Sequence, residues 1–515
     1  MRCELTSARR WLCGALAACA VAAPQGAGAA DSRVPGVVVQ GSRVYDPVRD
    51  GDPVVNNLER RTFRFFWNTA DKQTGLVPDR YPTPSFASTA AIGFALTAYV
   101  IGSERGYVTR SQARGRTLRT LRFLANAPQG PDEAGMIGYK GFYYHFLDMK
   151  TGARFDTSEL STVDTALLLG GVLLAQTYFD GDTRAEREIR QLADEIYGRV
   201  DWVWAQNRPP IISHGWRPET GFLRFDWRGY NEALLLYVLA LGSPTHPVEP
   251  EAYDEWLKTY KDTWGRYFER ELLGFGPMFG HQYSHVWIDF RGIQDAFMRE
   301  KGIDYFENSR RAAYAQREYA IQNPMRWRGY DSEIWGLTAS DGPADTVQIY
   351  NNEERGFFTY SARGTAAPHV LDDGTIAPTA AVGMIAFAPE IVIPTIRAFR
   401  ARFGEHLYQR YGFLDAVNPS FTYTDAPLRH GRIIENLGWV ADDYLGIDQG
   451  PIVAMIENYR SGLIWKLMQR NPYVRRGLER AGFTGGWLGQ PAPAVTEAGE
   501  GDSPVREPSP EQSPP

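Results

Sequence analysis

The sequence predicts an all-α fold, an (α/α)6 barrel of six inner and six outer helices, and three observations predict it. Between Asn56 and Phe483 two kinds of helical segment alternate, one apolar nearly all round and rich in small residues, the other long, charged and amphipathic. A helix apolar on every face is buried on every face, whereas an amphipathic one keeps a wet side, so six of each describe a ring within a ring. The connections into the apolar segments are long and rich in Gly, Trp, Tyr and His, and the reverse connections are short, so one end of the barrel is built up and should carry function. A generic multi-helix bundle is the competing fold. A helical solenoid fits less well, since no segment repeats at a fixed period.

The elements follow in order. Residues 1–30 read as an export signal, with Arg2, Arg9 and Arg10 as the basic region, Trp11–Ala23 as the apolar stretch and Ala27-Gly28-Ala29 as a cleavage site. Leu16-Ala17-Ala18-Cys19 also resembles a bacterial lipobox, so two processing routes stay open: a free periplasmic protein, or an outer-membrane lipoprotein of a Gram-negative cell held to the membrane only through a lipid at Cys19. No later segment is apolar for the ~20 residues that a membrane span needs. All three cysteines (Cys3, Cys13, Cys19) lie in the leader, which leaves the rest of the chain without a disulfide framework, thiol nucleophile or cysteine metal site. Residues 31–55 are an N-terminal linker, residues 56–485 the barrel, and residues 486–515 a Pro-rich tail too poor in apolar residues to fold.

Within the barrel the inner segments are Ser88–Gly102, Ser161–Tyr178, Asn231–Gly242, Pro378–Phe387 and Gly450–Trp465, with a shorter one near Gly292. The outer segments are Gln112–Asn126, Arg184–Gln206, Tyr253–Leu273, Asp304–Gln322, Glu390–Tyr411 and Tyr473–Ala481, where apolar residues recur at helical spacing, as at Ile189, Leu192 and Ile196. The composition agrees with one large core: 515 residues, 43% hydrophobic, with 26 Phe, 14 Trp and 27 Tyr. A net charge of -6 argues against a nucleic-acid partner, which needs a concentrated basic face.

Several inner helices begin with acids. Ser161-Thr162-Val163-Asp164 has capping-box form after Asp156 and Glu159; Asn231 is a candidate N-cap followed by Glu232, after Asp226 and Tyr230; Asp448 follows Asp442 and Asp443. Any one acid at a helix N-terminus can be only a cap, stabilised by about 0.3–1 kcal/mol. Parallel inner helices, however, bring all these N-termini to one rim. A mouth lined by acids and aromatic residues suits glycoside hydrolysis, where one carboxyl group protonates the leaving oxygen and another activates water. Loops with His214-Gly215-Trp216, Gly280–Trp287, Arg326-Trp327-Arg328 and Trp335-Gly336-Leu337 offer flat rings and hydrogen-bond donors of the kind that hold sugars. Trp216, His281, His285, Trp287, Arg291, Trp335, Asp164 and Tyr230 are therefore the candidate substrate-binding residues. No cofactor or metal motif is present; His281 and His285 could ligate a metal from one helical face, but their Gly- and aromatic-rich context reads as a loop.

Four stretches carry a resemblance: Trp335–Pro343 followed by Arg363–Pro368, Asp372–Ala381, and Gly446-Ile447-Asp448-Gln449-Gly450-Pro451. They resemble the bacterial glucoamylase-like domain family, over roughly Asn56 to Ala481 and in the family's order. That family includes endo-β-1,2-glucanases of glycoside hydrolase family 144 and a domain of cyclic β-1,2-glucan synthases. The resemblance implies an (α/α)6 barrel that cleaves β-1,2-glucan to sophoro-oligosaccharides with inversion and without a metal. By position it implies Glu232 as general acid, Asp448 as first choice for the base, and Asp156 and Glu159 as a further acidic cluster that binds substrate or routes the proton. The membrane, glycosyltransferase and phosphorylase regions of a cyclic glucan synthase do not accompany these motifs, so hydrolysis rather than synthesis is expected. Two alternatives remain at this point: a uronate lyase on the same barrel, using a pair such as Tyr283 and His281, and a non-catalytic glycan-binding lipoprotein.

Overall fold

Buried helices form around short, strongly apolar, small-residue runs, and in the computed structural model of the protein these runs make the inner ring. The structure describes residues 51–366 and 369–490. The leader with Cys19, the linker as far as residue 50 and the tail from residue 491 lie outside the described residues.

The inner helices are Thr89–Glu104, Thr162–Tyr178, Leu234–Gly242, Tyr283–Trp287, Pro378–Val382 and Gly446–Arg460. Leu234–Gly242 is buried at every position, and Thr89–Glu104 from Thr89 to Gly102. Thr89–Glu104 packs on Thr162–Tyr178 and on Gly446–Arg460, so the first and last inner helices are neighbours and the ring closes. Two glycines permit the tightest of these contacts: a Cβ on Gly171 would stand 2.1 Å from the Gly93 carbonyl oxygen, and one on Gly93 2.3 Å from that of Leu167. Neither neighbour can yield, because both are helix backbone. Gly171→Ala is therefore expected to destabilise the fold by about 3 kcal/mol, read as a lowered midpoint in urea unfolding.

The outer layer follows the amphipathic pattern at Arg110–Asn126, Arg184–Gly198, Tyr305–Gln322 and Pro389–Leu407. It departs from the expectation in two places. Pro53–Thr69 is an additional outer helix, started by Asp52, whose carboxylate accepts the Val54 and Val55 N–H groups; it packs on both Gly446–Arg460 and Thr89–Glu104, over the seam of the ring. The expected helix Tyr253–Leu273 is instead a short helix, Glu251–Leu257, a single turn, Tyr260–Thr263, and a hairpin pairing Trp264–Tyr267 with Arg270–Leu273. Positive φ at Phe268 (46°) and Glu269 (67°) makes that turn. Pro472–Arg480 then covers the third inner helix, Leu234–Gly242. The fourth inner helix is Tyr283–Trp287, inside the stretch read as a loop, while the segment near Gly292 is a strand, Ile293–Gln294, and a short helix, Ala296–Lys301. The tail also begins later than expected, because Gly486–Gly489 forms a 3-10 turn whose Trp487 indole donates to the Asp289 carbonyl at 2.8 Å.

Short antiparallel strands knit the loops that lead into the inner helices. Arg80–Tyr81 pairs with Tyr444–Leu445, which tie the entries of the first and last inner helices together. Ala87–Ser88 pairs with Phe146–Leu147, and Leu160–Ser161 lies between Phe142–Tyr144 and Gly215–Arg217. The built-up rim is thus a bonded platform, not a set of free loops. Among the described residues no helix is long and apolar enough to cross a membrane.

Candidate active site

Helix N-termini attract carboxylates, and at this rim they bring two acidic walls face to face. On the first wall Ser161 caps Thr162–Tyr178: its Oγ accepts the Asp164 N–H at 3.2 Å and donates to the Asp164 carboxylate at 2.5 Å. His145 lies 3.6 Å from Asp164 through Nε2 and 2.9 Å from Glu159 through Nδ1, and the second Glu159 oxygen is 3.6 Å from Arg217. Burial opposes a charged imidazole, but the carboxylates of Asp164 and Glu159 outweigh it and raise His145 to about 9. Burial likewise opposes the Glu159 charge, and His145 and Arg217 still hold that carboxyl down at about 2.

Glu232 completes this wall. Asn231 accepts the Ala233 N–H at 2.9 Å but is not the N-cap of Leu234–Gly242, which is Ala233. The neighbouring inner helix fixes the segment instead: Ser284 Oγ donates to the Glu232 carbonyl and accepts the Leu235 N–H, both at 2.9 Å. Burial pushes the Glu232 carboxyl up to about 7; its own backbone N–H pulls the other way and the Asp164 charge adds to the rise. Its Oε2 is enclosed and finds no hydrogen-bond partner among the described residues. A carboxylic acid protonated near neutrality, with one oxygen uncommitted, has the properties of a general acid.

The second wall centres on Asp448, in the first turn of Gly446–Arg460. Its carboxyl meets that of Asp415, and among the described residues no N–H or O–H reaches Asp448 Oδ2 or Asp415 Oδ1, so the donor available between them is a shared proton. Burial and the charge of the partner carboxyl raise Asp448 well above the carboxylate range; burial and Asp341 raise Asp415 to about 8. Asp341 donates its N–H to Asp415 at 2.6 Å while its carboxylate is gripped by Arg80 at 2.8 and 3.3 Å. Arg80 also lies 3.5 Å from Asp443, whose other oxygen accepts the Thr83 N–H at 2.9 Å.

Two tyrosines join the walls. The Tyr283 phenol is buried and is raised further by the charges of Asp448, Glu232 and Asp164, which places both walls within electrostatic reach of one hydroxyl. Tyr360, 39% exposed at the mouth, is raised by its enclosure and by Asp448, Asp415, Asp79 and Asp341. Behind it the fully buried Arg363–Asp373 pair (2.7 Å) also binds the carbonyls of Ser340 and Phe358 and fixes the loops that carry Asp341 and Tyr360.

Of the residues expected at the site, Glu232, Asp448, Glu159 and Asp164 come together. The others lie elsewhere. Asp156 is exposed in a turn with φ 49°, outside the enclosed acids. Trp216 packs on Tyr139 and Trp204, while its strand neighbour Arg217 faces Glu159, because adjacent strand residues point to opposite faces. His281 is buried, and burial lowers it to about 4; His285 meets Ser309 of an outer helix at 3.1 Å. Helical geometry explains His285: it follows Tyr283 by two residues on the same helix, about 200° round, so a Tyr283 facing the site turns His285 toward the outer layer, while His281 ends the preceding 3-10 turn Met278–His281. Tyr230 stacks on Tyr305 with ring centroids 5.6 Å apart. Trp287 is buried inside the barrel, its indole donating to Thr97 at 3.0 Å. Arg291 lies beyond the far end of Tyr283–Trp287, paired with Asp289 at 2.7 Å. Trp335 is buried ahead of the Gly336 turn. Among the described residues no group of three or more His, Cys, Asp or Glu side chains could hold a metal ion.

The protonated His145 gives a test of this electrostatic map. A histidine whose value is 6.5 unfolded and about 9 folded contributes stability that is complete below pH 6.5 and lost as the pH rises through 9. His145→Gln is expected to lower the melting temperature at pH 6 and to flatten the wild-type decline between pH 6.5 and 9, measured by thermal unfolding against pH.

Comparison with known proteins gives this geometry a family. A family model described as "Putative glucoamylase" matches residues 224–472. A crystal structure described as a "putative glucoamylase" from Bacteroides uniformis is 32% identical, with a TM-score of 0.71, covering 84% of this chain and 98% of that one. The endo-β-1,2-glucanase of Chitinophaga pinensis, solved with sophorotriose and glucose, is 29% identical with a TM-score of 0.71, covering 84% of this chain and 99% of that one. An exo-β-1,2-glucooligosaccharide sophorohydrolase (non-reducing end) of Parabacteroides distasonis is 28% identical over 466 residues, 84% of this chain; the chain spans 58% of that relative's length. With a shared helical barrel, 32% identity and nearly the whole of the Bacteroides uniformis protein covered, this chain belongs to the glucoamylase-like family.

Proposed function

We propose that the protein is an inverting glycoside hydrolase that cleaves β-1,2-glucan. The observation that carries the reading is the Glu232 carboxyl, raised to about 7 with Oε2 uncommitted, and the Asp448 carboxyl within electrostatic reach of the same Tyr283 hydroxyl. In this reading Glu232 gives its proton to the glycosidic oxygen as the C1–O bond breaks. A water attacks C1 from the opposite face and loses its proton to Asp448, which leaves a hemiacetal of inverted configuration. The substrate class is supported by relatives whose names carry β-1,2-glucan and its oligosaccharides as substrate. We further infer export, from the leader over residues 1–30.

The test is purified protein with linear β-1,2-glucan, following new reducing ends, product sizes and the first anomer by NMR. Short sophoro-oligosaccharides released with inversion are expected. Failure to release products from β-1,2-glucan would overturn the reading, and retention would overturn the assigned role of Asp448. Mass analysis of the mature N-terminus distinguishes cleavage after Ala29 from lipidation at Cys19.

A further inference from the structure

A run of rings in contact leads from the charged centre to the solvent-exposed rim, and the mechanism above does not use it. It begins at His145, whose imidazole stacks on Phe146 at 3.9 Å with 20° between the planes. Phe86 lies 4.3 Å from Phe146, and Phe155 lies 4.7 Å from Phe86. Phe155, the outermost, is 39% exposed. A phenyl ring has no polar tip for water, so an exposed one offers apolar area that a ligand can cover.

The turn that displays Phe155 is rigidly built. The Phe155 N–H donates to the Phe146 carbonyl at 3.0 Å, and the Ser158 hydroxyl donates to the same carbonyl at 3.1 Å. The preceding Arg154, its side chain 1% exposed, is paired with Glu219 at 2.5 Å and donates to the Ser158 carbonyl at 2.7 Å. Phe86 is equally constrained, its carbonyl accepting the Asp79 N–H at 2.8 Å, and its loop is pinned across the rim by the Thr83 bond to Asp443. The exposed ring is therefore fixed in place before any ligand arrives, which is the condition under which a contact contributes most to affinity.

We propose that Phe86 and Phe155 form a sugar-stacking subsite for a glucosyl unit of the glucan chain remote from the bond that is cleaved, reached along the His145 side of the pocket. The assignment rests on the glucan reading given above. The apolar C–H face of a β-linked glucosyl ring fits a flat phenyl platform, and the exposed Asp156 carboxylate beside Phe155 can accept from the sugar hydroxyls at the edge. Such a subsite binds only chains long enough to reach it, so it sets chain-length preference without entering the chemistry.

The experiment compares wild type, Phe155→Ala, Phe86→Ala and Phe155→Trp on long linear β-1,2-glucan and on the shortest sophoro-oligosaccharide the wild type cleaves. Phe155→Ala and Phe86→Ala are expected to raise KM for the long glucan about tenfold, which is about 1.4 kcal/mol of binding. They should leave kcat, and both constants for the short substrate, unchanged, and Phe155→Trp should restore the wild-type KM. Unchanged KM for long glucan in both alanine variants would overturn the subsite while leaving the glucanase reading intact. An equal loss on short and long substrates, with kcat falling, would also overturn it, since that pattern marks a packing role beneath His145. A wild type inactive on β-1,2-glucan would remove the glucanase reading itself, and the subsite with it.

Discussion

Glu232→Gln is expected to lower kcat by about a thousandfold, within the range general-acid catalysis supplies, and to leave the fold intact. The carboxyl group is enclosed, raised to about 7 by burial, and its Oε2 lacks a partner among the described residues. Glutamine keeps the shape but cannot give up a proton to a glycosidic oxygen. The same substitution makes a stability prediction of definite sign. A carboxyl at 4.5 unfolded and about 7 folded binds more protons in the native state across that interval, so wild-type stability falls as pH rises from 4.5 to 7 and stays lower above it. Glu232→Gln removes this loss, and its melting temperature at pH 8 should equal or exceed that of wild type. In activity, wild-type kcat should decline as pH rises through about 7, where the acid loses its proton. A variant that keeps wild-type turnover, or an alkaline limb that persists in residual variant activity, would show that another group supplies the proton.

The barrel was legible because burial writes itself into composition: Leu234–Gly242 and Thr162–Tyr178 can only be inner helices. Pro53–Thr69 carried the same kind of signal, an Asp52-Pro53 start followed by Val55, Leu58 and Phe65, and belongs to the outer layer that periodicity describes. Tyr253–Leu273 misleads because its apolar residues recur at helical spacing while Gly265 and the left-handed Phe268-Glu269 turn make a hairpin. The acids at the rim were legible for a related reason, since a helix N-terminus is a local feature and Glu232, Asp164 and Asp448 stand at three of them. Which faces of the histidine segment look inward was not local. His281 and His285 carry suitable chemistry, but Tyr283, two residues from each, took the inward position. The groups that tune the acids come from distant loops: His145 from the bend between strands Phe142–Tyr144 and Phe146–Leu147, Asp415 from the turn after Gly412–Phe413, and Asp341 and Arg80 from either side of the rim. An acid inside the apolar run Phe413-Leu414-Asp415-Ala416-Val417 was the one signal that could have drawn attention to Asp415. The long motifs shared with the family are mostly structural in turn. Arg363 and Asp373 form the buried pair beneath Tyr360, and Asp372 accepts the hydroxyls of Tyr319 and Tyr330 at 2.7 and 2.6 Å.

Asp448→Asn and Asp415→Asn should separate the base from the group that poises it. Two buried carboxyl groups in contact cannot both be charged, so the pair titrates as a unit and keeps at least one proton at neutral pH. The Asp341 N–H favours negative charge on Asp415 Oδ2, but Arg80 is spent on Asp341 and Asp443, so the pair keeps its proton. Asp448→Asn removes the acceptor for the water proton and should reduce kcat by about a thousandfold. Asp415→Asn leaves Asp448 ionisable, replaces the shared proton with an amide donor and removes the like charge. Asp448 then becomes a weaker base of lower pKa: kcat at pH 7 should fall only about tenfold, by the Brønsted relation, and the acid limb of the pH–kcat profile should move to lower pH. Stability should respond in the same sense, because Asp415 is raised from 3.8 to about 8. Wild type loses stability as pH rises across that interval, and Asp415→Asn should lose less. If Asp415→Asn is as inactive as Asp448→Asn and its acid limb does not move, the water proton goes to Asp415 itself. In that case Asp448 is the group that holds it in place, and the two residues exchange roles without any change in the rest of the site.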